Sequence, residues 1–148
     1  ACVLDVRSGN ITRAASTLVR PTNSCIGLYC QLITGITPEE AKSGVAFKQA
    51  CEWLQTEFGS AMPWAAWGSW DRAQLEAQCA REQVPYPLSD EHIDIKRWVA
   101  ERLGWKRPKG LSRALNALGM EFWGKKHCAA DDAFNEARVF YRALRTQR

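Results

Sequence analysis

The chain has 148 residues, 46% of them hydrophobic and 24% charged, with a net charge of +4. These values exclude a disordered or low-complexity chain, and the absence of any run of eighteen apolar residues leaves no membrane-spanning helix to expect and no membrane partner. The mild positive charge permits a polyanionic partner without demanding one. Cysteines stand at 2, 25, 30, 51, 79 and 128 with no C-x-x-C pair. They read as reduced, mostly core thiols of a cytoplasmic protein. Cys25 and Cys30 could open a zinc site, but no further ligands are visible.

In chain order, residues 1–5 read as the end of an apolar strand. Arg7-Ser8-Gly9-Asn10 is a turn, and residues 14–20 form a second strand closed by Pro21, completing a hairpin. A loop runs over 21–29. Thr37-Pro38-Glu39-Glu40 carries the signature of a helix start, and an amphipathic helix with Phe47, Cys51 and Leu54 on one side spans 46–58. Pro63-Trp64-Ala65-Ala66-Trp67, bounded by Gly59 and Gly68, reads as a short buried strand. A helix over 71–81 follows its turn. Asp71 with Gln74 fits a capping box, but Asp71 also lies at the carboxyl end of a strand, where α/β sheets place ligands.

His92-Ile93-Asp94-Ile95 is another short strand, running into a helix over 96–103, and His92 reads as structural. Lys106-Arg107-Pro108-Lys109-Gly110 is a basic loop that could touch phosphates, a short helix over 111–118 ends at Gly119, and 120–126 is a loop. Trp53, Trp64, Trp67 and Trp98 sit in apolar contexts that suit a core. Strands come early and later alternate with helices, which predicts an α/β domain with a mixed sheet: an antiparallel hairpin, then parallel additions.

The last stretch, His127-Cys128-Ala129-Ala130-Asp131-Asp132-Ala133, leads into a helix that runs nearly to the chain's end. Helical spacing puts Asp131 on one face with Asn135, Arg138 and Arg142, expected to meet solvent. Asp132 joins the side carrying Ala133, Ala137, Phe140 and Leu144, expected to turn inward. Both acids also suit a first helical turn, where they complement the helix dipole. Asp71 and Asp132 are two expected inward carboxylates, and carboxylates without thiolates suit hard cations such as Mg²⁺ or Mn²⁺. A neighbouring histidine, His127, can take a proton from a metal-bound water. Two carboxylates are few for a two-metal site, which usually uses three or four. A thiol hydrolase using Cys128 and His127 is a weaker alternative, because sequence neighbours rarely align for base activation.

His127-x-x-x-x-Asp132-Ala133 resembles the third motif of the DnaQ-like DEDDh 3′→5′ exonucleases, in the branch of RNA 3′-end-trimming exoribonucleases that includes the enhanced-RNAi nucleases. Trp67-Gly68-Ser69-Trp70-Asp71 is similar to the second motif. Leu18-Val19-Arg20-Pro21 and Ile33-Thr34-Gly35-Ile36-Thr37 resemble the segment between the first two motifs, and His92-Ile93-Asp94-Ile95-Lys96 the next strand and helix start. The likeness covers nearly the whole chain in order. It implies a ribonuclease H-like α/β fold with a five-stranded mixed sheet flanked by helices. It also implies two Mg²⁺ or Mn²⁺ ions held in part by Asp71 and Asp132, and His127 as general base. Ile33 and Thr34 would pack against the terminal nucleotide, and Asp131 has no role in the pattern. The implied reaction is hydrolysis at 3′ ends of single-stranded RNA or DNA, releasing nucleoside 5′-monophosphates. The family's first motif, Asp-x-Glu on the first strand, is absent: Asp5 falls near the end of the second strand, and Arg7 is not an acid. Residues 1–148 are therefore expected to be a single exonuclease domain lacking its first strand and turn, on the order of twenty residues. The rival reading is a catalytically inactive nucleic-acid-end binder of the same fold.

Overall fold

Helices α5 (Ile95–Arg102), α6 (Leu111–Ala117) and α7 (Ala129–Arg145) enclose the larger apolar core in a computed structural model that describes residues 1–12, 14–59 and 61–146. Ile95 and Val99 of α5, Ala114 and Leu115 of α6, and Val139 and Ala143 of α7 meet there. Val99, Leu115 and Val139 are fully buried, each worth roughly 1.5–3 kcal/mol over an exposed side chain. Trp98 packs edge-on against Phe140 with centroids 4.8 Å apart, closing the α5–α7 contact.

A parallel pair, β3 (Trp64–Ala66) and β4 (His92–Asp94), lies against this core, in register Trp64 to His92 and Ala66 to Asp94. Parallel neighbours need a crossover, which α4 (Trp70–Glu82) supplies. Trp64 donates from its indole to the Ser89 carbonyl at 3.0 Å and packs on His92 with ring centroids 4.3 Å apart. That fits the structural reading of His92. β3 is less enclosed than its apolar run suggested: only Ala66 is buried and Ala65 is exposed, because β4 covers one edge of it.

At the N-terminus, β1 (Val3–Leu4) and β2 (Ile11–Thr12) form the expected antiparallel hairpin. Its second strand begins earlier than predicted. Asp5 and Asn10 close the turn with a 2.9 Å backbone bond, which fixes Leu4 opposite Ile11. Within 14–20 the described chain forms only an isolated bridge, Val19 to Val45. The described residues carry these two two-stranded sheets and not the five-stranded sheet that the resemblance implied.

Residues 28–34, partly assigned to a loop, form α1 (Leu28–Thr34), which ends on Gly35 at φ +78°. α2 (Pro38–Lys42) starts as predicted, with a reciprocal cap between Thr37 and Glu40. α3 (Phe47–Phe58) buries Phe47 and Cys51, which meet Cys79 of α4 in a second small core. Burial pushes the Cys51 thiol up to about 12, as suits an inert core cysteine. All six cysteines are unpaired. Among the described residues no helix is long and apolar enough to cross a membrane.

Candidate active site

Asp71 reaches its position because β3 ends at Ala66 and Gly68, at φ +117°, turns the chain into α4. The expected capping role is not seen. Ser69 occupies the cap position without a side-chain cap bond, and Asp71 sits inside the first turn. Nor is Asp71 turned inward: it is exposed. A position early in a helix that starts at a strand end projects the side chain out over the sheet's carboxyl edge, and so the inward expectation failed.

α7 positions the second acid. Its first turn closes with the Asp132 amide donating to the Cys128 carbonyl at 2.8 Å, and both Asp131 and Asp132 lie in that turn. Asp132 turns inward as expected and lines an open cavity of about 470 Å³ together with His127. Burial holds its carboxyl above the usual range, while the His127 backbone amide and imidazole draw it back down. His127 is exposed and adopts a left-handed backbone, φ +65°, which is uncommon for a non-glycine residue.

One further acid, Glu136, faces the same cavity, one turn beyond Asp132. Burial first, then the charges of Asp71 and Asp132, push its carboxyl up to about 7, against the Ala1 ammonium, which lowers it. Sequence reading missed it, although a residue four places after an inward aspartate shares that face. Arg113 and Lys126 line the cavity as well, so the acids and the cations border one space. Trp67 also lines it, fixed by its indole donating to the Lys109 carbonyl at 3.1 Å. Lys109 of the basic loop places its ammonium 5.0 Å from the Trp105 ring centroid.

The Asp131 face meets solvent only in part: Arg142 is exposed as predicted, but Asp131 and Arg138 are half-buried. Residues 120–126 fold over it, and Asn135 is completely buried there. Asp131 accepts the Lys125 backbone amide at 2.8 Å. Lys125 in turn donates its ammonium to the Thr34 carbonyl at 3.1 Å, bringing the end of α1, with Ile33 and Thr34, against the loop before His127. Ile33 and Thr34 do not line the cavity itself. Gly124 is needed at this crossing: at φ +80° a Cβ would stand 2.5 Å from the Asp131 carboxyl carbon. Gly124→Ala is expected to lower stability by roughly 2 kcal/mol in urea unfolding, from left-handed strain and displacement of Asp131. An unchanged midpoint would refute that account.

The donor chemistry fits a hard divalent cation. Asp71, Asp132 and Glu136 offer only oxygen, the charges of the first two act on Glu136, and none takes part in an ion pair among the described residues. The set is not a finished cage: among the described residues no three His, Cys, Asp or Glu side chains stand close enough to hold an ion. Among the described residues Cys25 and Cys30 gain no zinc partners either.

Asp132, Glu136 and the loop residue His127 share one cavity with Arg113 and Lys126, while Asp71 at the strand end lies outside its lining. Residues 1–140 match the family profile described as Exonuclease (RNase_T). ERI1 exoribonuclease 2 of Mus musculus is 30% identical over 171 residues, covering 98% of this chain and 25% of that protein. Two solved structures are similar over nearly all of the chain. The nuclease domain of 3′hExo, a DEDDh family member bound to rAMP, has a TM-score of 0.78 and 27% identity, covering 95% of this chain and 76% of that one. A 3′-exonuclease in a structure of 3′-end-specific recognition of histone mRNA stem-loop has a TM-score of 0.81 and 26% identity, covering 97% and 68%. The chain belongs to the exonuclease family, in its DnaQ-like DEDDh 3′→5′ exoribonuclease branch, with the ribonuclease H-like fold. It spans from about a quarter to about three-fifths of the length of curated relatives it matches.

Proposed function

We propose that this chain is the nuclease domain of a 3′→5′ exonuclease that trims single-stranded RNA. The observation that carries the reading is the meeting of Asp132, His127 and Glu136 in one cavity that Arg113 and Lys126 also line. RNA is chosen over DNA because one similar structure is bound to rAMP and another concerns recognition of a histone mRNA stem-loop. Asp71 and Asp132 are the residues to hold two divalent cations, Mg²⁺ or Mn²⁺, with the Glu136 carboxyl beside Asp132 as a further oxygen donor. When bound, such ions supply Lewis-acid stabilisation of the attacking and leaving oxygens.

The protein's own residues do the rest. His127 accepts a proton from the attacking water. The new bond forms at phosphorus, the bond to the 3′ oxygen of the penultimate nucleotide breaks, and a nucleoside 5′-monophosphate leaves. Arg113 and Lys126 offset phosphate charge. Ile33 and Thr34 pack on the terminal nucleotide, and Trp70, 70% exposed beside Asp71, offers an aromatic face to its base. The unpaired thiols support a reducing, cytoplasmic setting.

The test uses the full-length protein. His127→Ala and Asp132→Ala are each expected to lower trimming of a 5′-labelled RNA with Mg²⁺ or Mn²⁺ by at least about a hundredfold, the scale of general-base and metal contributions. Unchanged trimming in both variants would end the reading.

A further inference from the structure

A second basic groove lies on α7, away from the cavity that holds Asp132. Arg138, Arg142 and Arg145 are spaced i, i+4 and i+7, so they share one face. They line a groove of about 380 Å³ together with Gly9, Ile11 and Met120. Arg138 is locked in place, donating to the Glu121 carbonyl at 2.9 Å and the Asn135 side-chain oxygen at 2.8 Å. Arg142 and Arg145 are exposed and join none of the ion pairs among the described residues, which lie between Lys48 and Glu52, Arg72 and Glu76, and Arg97 and Glu101. The groove floor is built: Tyr141 crosses to the hairpin, donating to the Ser8 carbonyl at 3.3 Å, and its ring fills the space where a Cβ on Gly9 would sit. Complementing the helix dipole accounts for basic residues in the last turn, but not for Arg138 or for a shaped groove without an acid.

We propose that this groove is a second binding site, for the sugar–phosphate backbone of single-stranded RNA upstream of the 3′ end. This rests on the exonuclease reading for its choice of polyanion. At 1.5 Å rise per residue, Arg138, Arg142 and Arg145 lie about 9, 15 and 20 Å along α7 from Asp132, and they are turned by roughly a third of a circle. A stacked strand advances about 3.4 Å per nucleotide, so the path reaches phosphates roughly four to seven nucleotides from the terminus. Guanidinium forks suit phosphate oxygens and read no bases. The site therefore confers length dependence and no sequence preference.

The experiment compares 5′-fluorescein oligouridylates of three and twelve nucleotides, by anisotropy in EDTA and by trimming with Mg²⁺. For Arg142→Glu/Arg145→Glu, the twelve-nucleotide RNA is expected to bind about tenfold more weakly at low salt. The slope of log affinity against log salt should shrink by about 1.4, at about 0.7 per lost phosphate contact. KM for that RNA rises and kcat holds, while trimming of the three-nucleotide RNA is unchanged. Arg142→Lys/Arg145→Lys keeps the wild-type slope, which separates charge from helix integrity, and Arg142→Gln/Arg145→Gln gives the same reading as the glutamates if those unfold α7. Equal binding and slope in wild type and the glutamate variant overturn the proposal, as does an equal loss on both RNAs. Failure of the unmodified protein to trim either RNA overturns the exonuclease reading instead, and the binding arm still reports on the groove.

Discussion

Glu136→Gln is expected to stabilise the metal-free protein at pH 8 by roughly 2–3 kcal/mol, since a tenfold change in proton affinity is worth about 1.4 kcal/mol. The Glu136 carboxyl is pushed up to about 7 by burial and by the charges of Asp71 and Asp132. Between the ordinary carboxylate range and pH 7 the folded chain holds a proton that the unfolded chain has released. The resulting stability is complete below the ordinary carboxylate range and is lost as pH rises through 7. Asp132, also raised by burial, adds in the same direction. Urea unfolding in EDTA from pH 5 to 8 reads this directly: wild type loses stability across the interval and Glu136→Gln loses much less. Parallel pH profiles for the two proteins would show that Glu136 is ionised and well solvated in the folded state.

Asn135→Ala is expected to cost roughly 3 kcal/mol or more and to slow trimming with it. Asn135 is fully buried in α7 and spends every bonding group on its surroundings. Its side-chain oxygen accepts the Trp123 amide at 3.0 Å and Arg138 at 2.8 Å. Its nitrogen donates to the Trp123 carbonyl at 2.8 Å and the Asp131 carbonyl at 2.7 Å. Truncation leaves buried donors and acceptors unmatched, at about 1–3 kcal/mol each where water cannot reach them. It also frees the loop that delivers His127, so kcat falls more than KM changes. A stability loss under about 1 kcal/mol, with normal kcat, would mean that the loop is held by other contacts.

Asn135 also shows where sequence reading stopped. Helical periodicity placed Asp132 inward and Asp131 with Asn135 on a polar face, and both placements follow from geometry. Polar was then equated with solvated. The loop over 120–126 covers that face through main-chain bonds to Asn135 and Asp131, and nothing in residue polarity announces such a cover. Glu136 was legible and overlooked, since it sits one turn from Asp132 on the same face. The Thr37 to Glu40 cap and the helix over 46–58 were legible because cap chemistry and apolar spacing are local. β2 was misplaced because a two-residue strand has no period, and its register comes from the Asp5 to Asn10 turn. His127, Asp71 and Asp132 were singled out by strand-end position, helical spacing and donor chemistry and then ordered by the whole-chain resemblance, and neither could tell that Asp71 stands exposed.

His127 carries a left-handed backbone at φ +65°. A glycine at that point would fold better by roughly 1 kcal/mol. Histidine at this point goes against local backbone preference, and the residue lines the cavity because the neighbouring chain overrules that preference. Asp131 and Asn135 are the enforcers: they hold the loop in a posture that histidine would not choose alone. The loop before α7 is thus a sprung part whose shape is stored in α7 and not in itself.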